Sequence, residues 1–214
     1  MRALVVYCHP KDDSFNAAVK DLVLQKLKAA GAEIRFSDLY RSGFQPVLTT
    51  SEWEGYLTVP TNSALVADDV ANLRWCDTLI FVYPTWWYGL PAMLKGWLDR
   101  VMLPGVAFLM PDATNKNIRP GLRHITALGV FTTCGASRWL TWIIGAPGKR
   151  TMMRGVGFLC APRKRSVFAA HFLMDSSTED SRTAHLAVVA RKMDRLIGRR
   201  VAVTLTKTLR EAAE

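Results

Sequence analysis

Cysteine is scarce in this chain: four in 214 residues, at positions 8, 76, 134 and 160. None forms a C-x-x-C pair, and their wide scatter sets aside both a zinc ribbon and a small disulfide-stapled module. Long apolar runs are missing too, since none approaches the ~18 residues of a membrane-spanning helix. The five apolar residues in MRALVVYCHP are too few for the core of a signal peptide, and no small-residue cleavage site follows them. A reducing cytoplasm is the expected location.

Acidic side chains are outnumbered, 18 against 28 basic ones, for a formal charge of +10. That balance favours anionic partners such as phosphates and nucleotides, and it admits peripheral contact with a membrane surface. The excess lies late in the chain, around Lys149, Arg150, Arg154, Arg163, Lys164, Arg165, Arg199 and Arg200; its plainest meaning is a solvated basic face. No nucleic-acid reader motif accompanies it, so nucleic acid is not an expected partner. Nor is there a G-x-G-x-x-G or Walker sequence, a G-x-S-x-G nucleophile motif, or a His/Asp/Glu cluster at metal-ligand spacing.

What is present is a full complement of core-forming residues, 50% apolar against 21% charged. The length suits one α/β domain, expected over residues 1–197, with a basic and then polar tail over 198–214. Short apolar runs at 3–7, 77–83, 125–132 and 167–173 read as strands, and the alternating 32–37 reads as a strand nearer the sheet edge. Helical spacing covers 15–30, with Ala18, Leu22 and Leu27 among its apolar positions, and recurs at 63–75, 91–101 and 182–197; a short helix fits 51–57. Ser14 is a candidate N-cap for the first helix and Gly31 its C′ residue. Strands alternating with helices predict a parallel sheet covered on both faces.

In such a sheet, ligands bind beyond the carboxyl ends of the strands. Three segments lie there. The first, HPKDDSFN, places His9, Ser14, Phe15 and Asn16 at a helix N-terminus, where free N–H groups and the dipole favour a phosphate. The second, YPTWWYG, sets Pro84, Thr85, Trp86, Trp87 and Tyr88 after the most apolar strand. Helix packing explains the Leu94, Trp97, Leu98 and Val101 stripe that follows, with Pro91 in its first turn, but not the three rings. Core or interface packing is the plain alternative for those rings. The third, TTCGA, offers Thr132, Thr133, Gly135 and Ala136 as small and hydroxyl-bearing residues that let the main chain approach a planar ligand.

Together, in this order and spacing, HPKDDSFN, YPTWWYGLPAMLKGWLDRV and TTCGA resemble the flavodoxin-like NAD(P)H:quinone oxidoreductases, the DT-diaphorase family. The resemblance covers roughly residues 1–175. It implies a flavodoxin-like three-layer sandwich with a five-stranded parallel sheet in the order 2-1-3-4-5, FAD (alternatively FMN) as cofactor, NADPH or NADH as reductant, a quinone-like acceptor and a homodimer. His9, Ser14, Phe15 and Asn16 match the segment that holds the flavin phosphate. Pro84 to Tyr88 match the turn around the isoalloxazine, and Thr132, Thr133, Gly135 and Ala136 the loop at its other edge.

The chain departs from the family at Cys134, where glycine is common, and in SRWLTWIIGAPGKR, which lacks the Tyr and His that assist hydride transfer in the quinone reductases. Trp139 and Trp142 are candidates to fill that space. The altered loop and basic surface also suit a second role seen among relatives, that of a flavin-binding regulatory subunit of a potassium-efflux transporter. Lys149, Arg150 and Arg154 are candidates for the 2′-phosphate of NADPH. Cys8, Cys134 and His171 read as core.

Overall fold

The computed structural model describes residues 1–198. Arg199, Arg200 and the rest of the expected tail lie outside them. The chain runs β1 (Arg2–Tyr7), α1 (Phe15–Ala29), β2 (Glu33–Asp38), α2 (Thr50–Glu54), α3 (Ala67–Trp75) and β3 (Thr78–Thr85). It continues through α4 (Ala92–Val101), β4 (Phe108–Leu109), β5 (Arg119–Pro120), β6 (Ala127–Cys134), α5 (Arg138–Ile143) and α6 (Pro147–Arg150). A π-helical turn (Thr151–Val156), α7 (Gly157–Leu159), β7 (Arg165–His171) and α8 (Glu179–Ile197) complete it.

Five strands form one parallel sheet in the order β2-β1-β3-β6-β7, with β4 and β5 a separate small hairpin. Counting only the five, this is the 2-1-3-4-5 order that the resemblance implies. The two central runs, β3 and β6, are buried almost throughout, as a strand covered on both faces must be. The edge strands β2 and β7 carry partly exposed positions instead.

Alternate residues of each strand feed two cores. Leu79, Phe81 and Tyr83 of β3 and Leu128 and Val130 of β6 pack with α3, α4 and the π-helical turn. Ile80, Val82 and Phe131 face α1 and α8. Trp97 of α4 is wholly buried, meets the Phe81 ring edge-on at 5.9 Å and donates from Nε1 to Asp69 at 2.8 Å.

Both ends of α1 behave as their residues dictate. Ser14 Oγ accepts from the Ala17 N–H at 3.1 Å, and Gly31, at φ +68°, closes a Schellman motif in which the Ala32 N–H reaches Leu27 O at 3.1 Å. Its buried stripe, however, is Asn16, Val19, Val23 and Leu27, and Ala18 is exposed. A buried polar residue, Asn16, starts the stripe, so apolarity alone misplaces its phase. Pro91 caps α4 rather than entering it, with ψ at +147°. The expected stripe of that helix, Leu94, Trp97, Leu98 and Val101, is buried, and its exposed Lys95 Nζ reaches Asp99 at 2.5 Å.

Candidate functional site

The carboxyl ends of β1, β3, β6 and β7 open on one cleft of about 830 Å³, lined by His9, Ser14, Phe15, Asn16, residues 84–88, residues 133–136, Met174 and Asp175. That volume lies in the usual range of about 300–1,000 Å³ for small-molecule sites.

The first wall is the N-terminus of α1. Ser14 lines the cleft while its oxygen caps the helix, and the Phe15 and Asn16 N–H groups, at the first two helical positions, have no intrahelical acceptor. His9 Nδ1 is held locally, accepting from the Lys11 N–H at 3.0 Å. Asn16 is 4% exposed and its Nδ2 donates to Thr133 Oγ1 at 2.9 Å, whereas its Oδ1 has no partner. A buried acceptor left unpaired costs about 1–3 kcal/mol. A hydroxyl-bearing ligand in this cleft would satisfy it.

The second wall is a tight turn. Trp86 and Gly89 pair across it, the Gly89 N–H donating to Trp86 O at 3.0 Å. Trp87 and Tyr88 between them are both left-handed, at φ +48° and +59°. Side chains other than glycine pay about 1–2 kcal/mol per residue for that geometry. The turn is braced from behind, where the Gly148 N–H at the start of α6 donates to Tyr88 O at 3.2 Å. Trp86 and Trp87 are 43% and 96% exposed, so core packing does not account for these rings.

The third wall is the end of β6. Thr133, Cys134, Gly135 and Ala136 line the cleft. Gly135 lies close under Asp175: a Cβ there would stand 2.6 Å from its Oδ2, so the exposed carboxylate would have to swing aside. Thr132 does not line this cleft: its side chain falls on the other face of the sheet, bonds Thr85 Oγ1 at 2.8 Å and borders a second cavity. Strand alternation is the reason, since adjacent residues point to opposite faces.

Beneath Phe15 lies a histidine pair. The rings of His171 and His185 are 5.0 Å apart and stand 5.3 and 6.0 Å from Phe15. Both are 8% exposed and each leaves Nε2 without a partner. Burial, then repulsion from His171, pushes the His185 imidazole down to about 4; burial and nearby Arg182 also lower His171. His171 is thus a core residue, as expected, but one that supports the cleft wall.

Twelve of the thirteen expected residues line the cleft, Thr132 being the exception. Three more belong to it. Cys134, read above as a small buried hydrophobe, is indeed buried yet also forms wall. Met174 and Asp175 follow β7, in a turn whose sequence carries no motif; only the rule that all strand ends of such a sheet share one ligand edge points to them. Trp139 and Trp142 do not enter this cleft, and Trp142 borders the second cavity. Nor do Lys149, Arg150 and Arg154 reach it; Lys149 Nζ lies 5.1 Å from the Phe168 ring instead. Cys8 and Cys76 are buried free thiols that desolvation pushes up to about 12, unsuited to act as nucleophiles.

Comparison with known proteins agrees with this geometry. A family model described as flavodoxin-like fold matches residues 1–189. Ribosyldihydronicotinamide dehydrogenase [quinone] of Homo sapiens is 30% identical over 166 residues, covering 66% of this chain and 72% of that protein. The Rattus norvegicus protein of the same name is 31% identical over 156 residues, 65% of this chain, and the match spans 66% of the relative's length. The crystal structure of Smu.1420 from Streptococcus mutans UA159 superposes with a TM-score of 0.77 at 26% identity, covering 90% of this chain and 98% of that one.

Proposed function

We propose, for a chain that belongs to the flavodoxin-like family of NAD(P)H quinone oxidoreductases and is itself an oxidoreductase of that type, that the cleft holds a flavin and passes two electrons from NAD(P)H to a quinone. The observation that carries this is the convergence of three different surfaces on one cleft: free helix N–H groups, an exposed aromatic turn and a strand end of small residues with the Thr133 hydroxyl.

The donors fit the cofactor. The Ser14 hydroxyl and the Phe15 and Asn16 N–H groups would hold its phosphate, and Asn16 Oδ1 would accept from its polyol chain. The main chain of residues 133–136 would meet one edge of the ring system and the turn at 84–88 the other. FAD is the expected form, FMN the alternative. When bound, the flavin supplies the redox chemistry, taking hydride from the nicotinamide and returning two electrons to the acceptor. The protein's share is to orient donor and acceptor in turn over the same rings. Overall, NAD(P)H, one proton and quinone become NAD(P)+ and hydroquinone. The proton comes from solvent, which reaches the open cleft directly.

One pocket serving two substrates in turn predicts ping-pong kinetics. A homodimer is the proposed working form, because α5 turns Trp139, Trp142 and Ile143 outward at 69%, 75% and 51% exposure, a face that a second copy would cover.

The test is an absorbance spectrum of the purified protein with flavin, recorded anaerobically before and after NADPH and then menadione. Bleaching followed by recovery is the expected result, and the nucleotide released on heating distinguishes FAD from FMN. Bound flavin that stays oxidised would sink the electron-transfer reading, and no bound flavin would sink the cofactor reading itself.

A further inference from the structure

Behind the end of β6, on the sheet face away from α1, lies a second cavity of about 440 Å³. Its floor is Phe168 and Ala170 of β7 with Phe172 just beyond, and its roof is the α5–α6 segment. It touches the first cleft only through Thr85, Tyr88 and Cys134, which border both.

Three features of this cavity point to a ligand. Tyr83 is 1% exposed and lines it, yet no hydrogen bond engages its hydroxyl among the described residues. Desolvation alone acts on that phenol, which therefore stays protonated at any physiological pH and can only serve as a neutral donor or acceptor. Two cations stand at the rim, Arg138 and Lys149, and neither forms an ion pair among the described residues. No acid lines the cavity, whereas Asp175 lines the first cleft. An apolar floor, a cavity-facing hydroxyl and two rim cations with no carboxylate partner complement a flat apolar body with one negative group.

We infer that this cavity is a second ligand site, which takes a small aromatic carboxylate with its ring against Phe168 and Phe172, and its carboxylate at Arg138 and Lys149 within reach of the Tyr83 hydroxyl. The site stands independently of the flavin reading, since none of its cations lines the first cleft. Thr85, Tyr88 and Cys134 border both chambers, so an occupant of one abuts a wall of the other.

The test is calorimetric titration of the full chain, saturated with FAD, with 2-naphthoate as probe and neutral 2-naphthol as its control. Binding of one equivalent is expected, weakened at least tenfold for 2-naphthol, about tenfold in Tyr83→Phe and at least tenfold in Arg138→Gln/Lys149→Gln. Tyr83→Phe removes one oxygen and Arg138→Gln changes an exposed residue, so both should fold. Ala170→Met, which fills the floor, should abolish binding. The site is refuted if 2-naphthoate gives no heat with the wild-type chain, if all the variants bind it equally well, or if binding appears only without FAD, which would put the probe in the first cleft.

Discussion

The Asn16 side chain donates to the Thr133 hydroxyl across 2.9 Å, joining two residues 117 positions apart and fastening the start of α1 to the end of β6. Each of the two lines the cleft, so this bond sets the distance between the phosphate end and the ring end of the proposed flavin site. Asn16→Ala should lower flavin affinity about tenfold, in line with the ~1–1.5 kcal/mol of one buried hydrogen bond. Flavin fluorescence titration reads the loss, and an unchanged circular dichroism spectrum confirms the fold. Full retention of flavin would remove Asn16 from the site.

At Trp87 the ring and the backbone can be separated, because the residue is left-handed and almost wholly exposed. Trp87→Gly and Trp87→Ala both delete the ring, and both should weaken flavin retention. Only glycine also relieves the strain, so Trp87→Gly should be the more stable of the two by about 1 kcal/mol. Equal urea midpoints would show that the turn stores no strain at this position.

Gly96 sits in α4 against the loop that follows β2. A Cβ there would overlap Pro46 O and lie 2.5 Å from Pro46 Cα, contacts with backbone that no rotamer change relieves. Gly96→Ala should cost about 3 kcal/mol despite the better helix propensity of alanine. A thermal midpoint equal to wild type would mean that the 39–49 loop yields freely.

The histidine pair makes stability depend on pH. His185 titrates near 4 in the fold against an ordinary 6.5, so between these values the unfolded chain binds the extra proton. The neutral imidazole's contribution is complete above about 6.5 and is lost as pH falls through 4, on the order of 3 kcal/mol in all. Urea unfolding at pH 7.5, 6, 5 and 4 measures it. His185→Leu should flatten the profile; an identical slope in the variant would assign the acid sensitivity to other groups.

Much of this was readable from the residues. The β3 and β6 runs are continuous and apolar because both their faces are covered, and the aromatic segment stands out because packing of the helix that follows does not explain its three rings. Thr132 was misplaced because a loop motif was transferred whole, although its first residue still belongs to a strand and obeys period-two alternation. Residues 138–159 gave no periodic signal, since they break into short helices and a π-helical turn. Met174 and Asp175 were invisible as site residues, because proximity in space after β7 leaves no trace in local pattern.

The cleft has no local origin: its walls come from residues 9–16, 84–88, 133–136 and 174–175, one contribution beyond each of four strands. During synthesis, the N-terminus of α1 emerges early but faces nothing. Its partner Thr133 follows more than a hundred residues later, and the far wall waits until β7 has docked at the sheet edge. A chain lacking that strand would also lack the wall formed by Met174 and Asp175. Completion of the cleft is therefore a late event on the ribosome's timetable, since its last wall follows the last strand of the sheet.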